Sequence, residues 1–348
     1  MSTQTITSPE SITNNNLRVS FRLLLALYSI IPLCLLLQLF DSSFWNGYLQ
    51  HNLPSSPKHF LLFQILFGTP HIIASAILLT SNSEYLKFFK TKILLMTIAL
   101  AIFFSIASQI LSYRVLYIMV ASWTVFHVLK QQHGIARGIC GLPGRAFNLL
   151  LWLSVSAGIF IYVGIFLNKI LSVQQANWIS IISGVLCICL LLTSFVCQRY
   201  VKTGFGKVFM WANTLLVVSS FYLYNQQYYF LAILVPRLVH DATAYVFYVV
   251  HDYNRHHGHP QNLLYRYTSR LKLHIFIVLP LLSFSLAFVL QAYGNQVFNV
   301  ITNFFFGVEI RKAITLGLLG YLGLMHYYTE AFTWKSNSPY RKYIGFTK

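Results

Sequence analysis

The sequence predicts an all-α fold, a polytopic helical bundle embedded in a membrane, and three observations predict it. Hydrophobic residues make up 56% of the 348 and charged residues only 9%, where a soluble domain carries about 25% charge. Apolar runs recur along the chain near the length of about 20 residues that a helix needs to cross a hydrocarbon core roughly 30 Å thick. The 25 Lys and Arg, against 7 Asp and Glu, concentrate in alternate joints between those runs. In a soluble protein such a surplus suggests nucleic acid; here it reads as topology, and no nucleic-acid partner is expected.

Taken in order, residues 1–17 are polar and nearly uncharged. They lack the charged start and early apolar core of a cleavable signal and read as a disordered tail. Residues 18–348 then read as one membrane-embedded domain. Ten spans are expected, at 19–40, 59–80, 92–112, 115–133, 146–168, 176–197, 207–224, 227–250, 272–292 and 313–334. The joints at Tyr113-Arg114, at Asn225-Gln226 and around Tyr293 to Asn295 are tight, which forces antiparallel neighbours. The segment 297–308 is apolar but short, and reads as re-entrant or interfacial. Of five cysteines, Cys34, Cys187, Cys189 and Cys197 lie in apolar runs and Cys140 in a basic loop, so no disulfide scaffold is expected.

Cytoplasmic loops carry the excess of Lys and Arg. A cytoplasmic N-terminus collects Arg18, Arg22, Lys87, Lys90, Lys92, Lys130, Arg137, Arg145, Arg199, Lys202 and Lys207 on the inner side. Arg255, Arg266, Arg270, Lys272, Lys335, Arg341, Lys342 and Lys348 join them, nineteen in all. Only Lys58, Arg114, Lys169, Arg311 and Lys312 fall outside, with Arg237 within a span. Both termini are therefore expected in the cytoplasm, consistent with an even number of spans.

Twelve histidines accompany the seven acidic residues. A buried imidazole needs a hydrogen-bond partner or a metal, and hydrocarbon offers neither. On this topology His127 and His133 close the fourth span at its inner end, with His133 past the helix end and Gly134 allowing the turn. His251 closes the eighth span, and His256, His257 and His259 follow in the inner loop. His240 lies deeper in the eighth span, His71 near the middle of the second and His326 in the inner half of the tenth. Only His51 and His59 fall on the outer side.

Residues eleven apart on a helix share a face, so His240 aligns with His251 and Asp241 with Asp252, but about 16 Å separates them along the axis. One straight helix cannot bring both histidines to one ion. His326 and Glu330 are one turn apart and present an imidazole and a carboxylate together; Gln131 stands one turn after His127. A metal set of His71, His127, His133, His240, His251, His256, His257, His326 and Glu330 follows, with Asp241, Asp252 and Gln131 orienting ligands from behind. Arg237, one turn before Asp241, offers that carboxylate a simpler role as an ion pair. A nitrogen-rich donor set suits iron, with zinc or copper as the other choices.

The segment His251-Asp252-Tyr253-Asn254-Arg255-His256-His257 resembles a stretched H-x-x-x-H-H box of the membrane-bound histidine-motif oxygenases and desaturases, whose boxes lie at cytoplasmic helix ends and hold two irons. Gly68-Thr69-Pro70-His71 resembles the Gly-x-Pro-His element of the Brp/Blh family of β-carotene cleaving dioxygenases. In this chain Ile72-Ile73-Ala74-Ser75 replaces the Gly-Ala-x-Asp that commonly follows there. These resemblances imply a non-haem iron oxidase or oxygenase, a hydroxylase or desaturase, with two iron ions and a lipid-soluble substrate such as a fatty acyl or isoprenoid chain.

Such an enzyme is expected in a bacterial inner membrane, among membrane lipids. The sequence holds no glycine-rich nucleotide fingerprint, so electrons would come from an external donor. Two other classes fit the same histidines: a metal-ion or proton transporter using them as a relay, and a b-type haem protein with axial histidines.

Overall fold

A computed structural model describes residues 16–54, 68–308, 318–335 and 337–347. Among these the protein is helical apart from two short strands. A strand β1 (Arg18–Ser20) leads into α1 (Phe21–Ala26), which continues through a 3-10 turn into α2 (Ile30–Phe44), followed by α3 (Tyr48–Asn52). Then come α4 (Thr69–Thr80), α5 (Ser83–Ile110), α6 (Tyr113–Cys140), α7 (Gly144–Phe166) and α8 (Val173–Cys197). The last helices are α9 (Gly204–Asn225), α10 (Tyr229–His256), α11 (Leu263–Arg270), α12 (Ile275–Phe306) and α13 (Leu319–Thr333), before β2 (Gly345–Thr347).

Among the described residues six helices are long and apolar enough to cross a membrane: Phe21–Phe44, Ser83–Ala107, Gly144–Phe166, Val173–Tyr200, Tyr229–His256 and Ile275–Phe306. Their outward faces agree with that reading. Leu36, Leu39 and Phe40 on α2, Leu95, Ile102 and Ile106 on α5, Ile188, Leu192 and Phe195 on α8, and Phe288, Val300 and Phe304 on α12 are all exposed. Apolar surface of this extent is unfavourable in water and suited to lipid.

Several boundaries differ from those the sequence predicts. No turn forms around Tyr293 to Asn295: α12 runs unbroken to Phe306 and takes up 297–306, so the short apolar segment is the end of a helix rather than a separate re-entrant piece. In an apolar solvent the backbone must satisfy its own hydrogen bonds, which keeps Gly294 and Asn295 helical. Nor does Gly134 end α6. That helix continues past His133 to Cys140 and stops at Gly141, whose φ of 65° needs the left-handed region. The turn expected at Tyr113-Arg114 falls instead at Leu111–Ser112. His256 lies within α10 rather than in the following loop. The tail expected over 1–17 lies outside the described residues except at its end, where Leu17 donates its N–H to Asn254 Oδ1 (2.7 Å) and accepts from Asn254 Nδ2 (2.9 Å). His59, Lys58, Arg311 and Lys312 also lie outside them.

The chain divides into two compact units. The first is formed by Met1–Leu23, Pro70–Ile98 and Ala244–Lys348. Its core joins Ala74 and Leu78 of α4, Tyr85 and Phe89 of α5, Ala244 and Tyr248 of α10, Leu279 of α12 and Phe332 of α13, closed by Tyr340. At its edge β1 and β2 pair in parallel, Arg18 opposite Gly345 and Ser20 opposite Thr347, with Phe21 stacked on Phe346 at 5.0 Å.

The second unit is formed by Leu24–Thr69 and Ala99–Thr243. Helices α6 to α9 pack on one another and α2 on α9. Small residues permit close approach: a side chain at Gly158 would stand 2.8 Å from Val125 Cγ1 and 3.1 Å from Leu129 Cδ1. Polar side chains bridge helices as they do in membrane bundles. Ser194 meets Thr214 at 2.6 Å, and the Tyr28 hydroxyl lies 3.0 Å from Gln132 Oε1 and 3.1 Å from Asn213 Oδ1. Asp41, fully buried at the end of α2, accepts the backbone N–H of Leu49 (2.8 Å) and Gln50 (3.2 Å) and the hydroxyl of Tyr228 (2.8 Å). That carboxylate fixes α3 and was not among the residues the sequence singled out.

Candidate metal centre

In the first unit the site starts from α4. Pro70 occupies the first helical turn, where a missing N–H costs nothing and the fixed φ favours helix. His71 follows it and is fully buried. On α13, His326 and Glu330 are one turn apart on a buried face. The two imidazoles meet edge to face, their ring centroids 4.6 Å apart and their Nε2 atoms 2.9 Å apart. Glu330 Oε2 lies 3.9 Å from the same His326 nitrogen. The other oxygen, Oε1, accepts a hydrogen bond from the Tyr248 hydroxyl at 2.5 Å.

This spacing allows two states. With one ring protonated at Nε2 and the other not, the pair is an N–H···N hydrogen bond. The same separation also fits two ligands of one cation: metal–nitrogen bonds of about 2.0–2.1 Å set at right angles place their nitrogens about 3 Å apart. Glu330 supplies a carboxylate beside the His326 nitrogen, and Tyr248 holds its other oxygen, as a supporting hydrogen bond does for a metal-bound carboxylate.

The second unit also contains a histidine pair. His127 of α6 and His240 of α10 are buried with ring centroids 4.9 Å apart, edge to face. His240 Nε2 lies 4.0 Å from Asp241 Oδ1, while Asp241 Oδ2 accepts from Arg237 Nε at 3.1 Å, an i, i+4 ion pair buried on both sides. Gln131 is one turn from His127 on α6, but its neighbour Gln132 is the more deeply buried and faces Tyr28. His133 reaches across to α7, where its Nε2 lies 2.9 Å from Ser154 Oγ.

The remaining histidines of the expected set enter a polar network of the first unit and face different partners. His251 is held at both nitrogens, with Tyr85 Oη 2.7 Å from Nε2 and Asp252 Oδ1 3.1 Å from Nδ1. Tyr265 donates its hydroxyl to Asp252 Oδ2 in a short hydrogen bond. Burial first, and then the Asp252 charge, hold the Tyr265 phenol well above its usual pKa. Arg255 donates to Glu84 Oε1 (2.6 Å) and Tyr85 Oη (2.8 Å) and lies over the Tyr85 and Tyr343 rings. His256 stacks on Tyr265 at 4.1 Å. Its Nδ1 accepts the Gln261 N–H at 3.1 Å, and Asn262 Nδ2 is 3.4 Å from its Nε2. His257 is exposed and stacked on Tyr253 at 4.4 Å.

Sequence reasoning missed Tyr85 on His251 and Tyr265 on Asp252, whereas Tyr248, which donates to Glu330, stands out in the sequence as a candidate supporting donor. Only Tyr248 carried a signal, since it lies between the two His-Asp pairs of α10. The others come from α5 and α11, and their pairing with α10 is tertiary.

Compared with known families, characterised proteins and solved structures, the chain matches none.

Proposed function

We propose that the protein is a membrane-embedded, metal-dependent oxidase or oxygenase, of hydroxylase or desaturase type, acting on a lipid or isoprenoid substrate. The observation that carries this reading is the meeting of His71 and His326 at 2.9 Å with the Glu330 carboxylate 3.9 Å from the same nitrogen. Two imidazoles and a carboxylate are the donor set of non-haem iron. Iron when bound would supply the redox and oxygen-binding chemistry. His127 with His240 forms a second pair for another ion, in keeping with the two irons that the histidine-box resemblance implies. Zinc or copper are the competing metals.

The chain's own residues provide the setting. His71 and His326, with Glu330 beside His326, would hold the cation, Tyr248 keeps the carboxylate oriented, and burial keeps bulk water away. A substrate dissolved in lipid reaches such a site without crossing an aqueous phase. A bis-histidine haem is less compatible with this pair, because axial nitrogens about 2.0 Å from iron on opposite faces stand roughly 4 Å apart, wider than 2.9 Å.

Ten spans with both termini in the cytoplasm of a bacterial inner membrane remain part of the reading. The parallel pairing of Arg18–Ser20 with Gly345–Thr347 supports it, since it brings both ends of the described chain to one side.

Metal analysis of protein purified from iron-supplemented cells tests the proposal. Wild type should carry iron, and His326→Ala and His71→Ala should lose it from the first site while keeping their helical circular dichroism. Wild-type protein that is metal-free after purification and takes up no iron on reconstitution would sink the reading.

A further inference from the structure

Helix α11 joins the end of one membrane-length helix, α10, to the start of another, α12, and its rotation is fixed from within the first unit. Asn262 caps it by accepting the Tyr265 N–H at 2.9 Å. Tyr265 turns inward to donate to Asp252 and to stack on His256 at 4.1 Å, and Thr268 is buried on the same side. With that side pinned, two rows spaced by one helical turn face outward. Leu263, Tyr267 and Leu271 make an apolar row, exposed at 68%, 61% and 70%. Arg266 and Arg270, both exposed, make a basic row alongside it, and exposed Lys272 follows the last turn.

Either row alone is ordinary surface. Side by side they divide the face as an interfacial helix does, with apolar side chains for the acyl boundary and cations for the headgroups. The position of α11 agrees with that division. Its apolar row continues through Leu273 to exposed Phe276 and Ile277 at the start of α12, whose outward side stays apolar through Leu281, Phe284 and Phe288. Tyr253 of α10 stacks on Phe276 at 5.0 Å and on His257 at 4.4 Å. Aromatic rings thus gather where the two long helices meet, as they do at a membrane boundary.

Charge decides the kind of lipid. From Tyr253 to Val308 the sequence has no Asp or Glu, so this segment brings no carboxylate to offset its arginines and lysine. The acidic side chains nearby are engaged elsewhere: Asp252 with His251 and Tyr265, and Glu84 with Arg255. Arg270 lies over the Tyr267 ring at 5.6 Å, and Arg266 Nε donates to the Pro260 carbonyl at 3.4 Å. A guanidinium held in this way presents paired N–H donors that match a phosphate.

We propose that the outward face of α11 is a docking surface for anionic phospholipid. Leu263, Tyr267 and Leu271 enter the acyl boundary, while Arg266, Arg270 and Lys272 meet the headgroup phosphate. A headgroup of net negative charge is favoured over phosphatidylcholine, whose choline offsets its phosphate. The surface works without a metal, and iron content has no bearing on it.

Two experiments on the full-length protein test the surface. In bilayers that contain phosphatidylglycerol, a nitroxide is placed at Tyr267→Cys after the exposed Cys189 has been replaced by serine. That label should collide with dissolved oxygen far more than with a water-soluble nickel chelate, and a label at Ser269→Cys should show the reverse. Water-like exposure at both positions overturns the proposal. So does shielding at Tyr267→Cys from both quenchers, which would mark a covering protein or a second copy of the chain. In native mass spectrometry, wild type should bind phosphatidylglycerol about tenfold or more tightly than phosphatidylcholine. Arg266→Gln combined with Arg270→Gln should lower the phosphatidylglycerol affinity about tenfold or more, since each basic side chain near a membrane surface contributes about fivefold. Arg199→Gln combined with Lys202→Gln removes the same charge at another joint and should leave the tightest binding intact. No preference for the anionic lipid, a preference that survives the α11 substitutions, or an equal loss in both double variants overturns the proposal.

Discussion

His71 and His326 face one another through their Nε2 atoms at 2.9 Å, although 255 residues separate them in the chain. Neither belongs to the densest histidine cluster of the sequence. Each sits singly in an apolar segment, where a lone imidazole needs a partner, and each supplies part of what the other requires.

The first prediction concerns the residue behind this pair. Tyr248→Phe removes the hydroxyl from Glu330 Oε1 and leaves the three donor side chains intact. Loss of such a supporting hydrogen bond weakens metal affinity by about 10–100-fold. Competition with a coloured chelator should show that drop, and His326→Ala in the same assay should show no binding at the first site.

A second prediction lies in the network around α11. Tyr265→Phe deprives the buried Asp252 carboxylate of its Oδ2 donor, which should destabilise the fold by about 1–3 kcal/mol. Denaturant or thermal unfolding in detergent measures it. Asn262→Ala, which removes the N-cap bond to the Tyr265 N–H (2.9 Å), should cost about 1 kcal/mol.

The same phenol sets a pH dependence. Burial and Asp252 raise the Tyr265 pKa in the folded protein, above the value of about 10 that it has in an unfolded chain. A group raised in this way contributes its full stability below that unfolded value and loses it progressively as pH climbs beyond it. Unfolding midpoints of wild type should therefore fall more steeply than those of Tyr265→Phe above about pH 10, with parallel curves between pH 7 and 9. Curves that stay parallel to pH 11 would exclude the coupling.

Packing of the second unit yields a fourth prediction. At Gly158 even a methyl group would press on Val125 and Leu129. Gly158→Leu should cost about 1–3 kcal/mol or more by overpacking, whereas Gly138→Ala, with open space around it, should be neutral or slightly stabilising. Melting temperatures of the two variants give the comparison.

Much of the fold is legible in the sequence because hydrocarbon imposes one simple rule, long apolar helices. The same solvent explains one of the errors. Gly294 looks like a breaker by aqueous propensities, at about 1 kcal/mol relative to alanine. Inside a bilayer, an interrupted helix strands backbone groups at a far higher cost, and α12 continues through it. The His326-Glu330 pair was legible because a helical turn fixes it locally. Its meeting with His71, the pairing of Tyr85 with His251 and the three-residue strands are long-range contacts, which periodicity does not encode.

The β1–β2 pairing has a consequence for how the protein is made. The unit that holds His71 and His326 draws on segments far apart in the chain, and among the described residues Arg18–Ser20 pairs with Gly345–Thr347. Translation proceeds from the N-terminus, so β1 waits until the helices between the two strands have been made before its neighbour emerges. The meeting of His71 with His326 is thus a late product of biogenesis, completed after the helices between the two have been made.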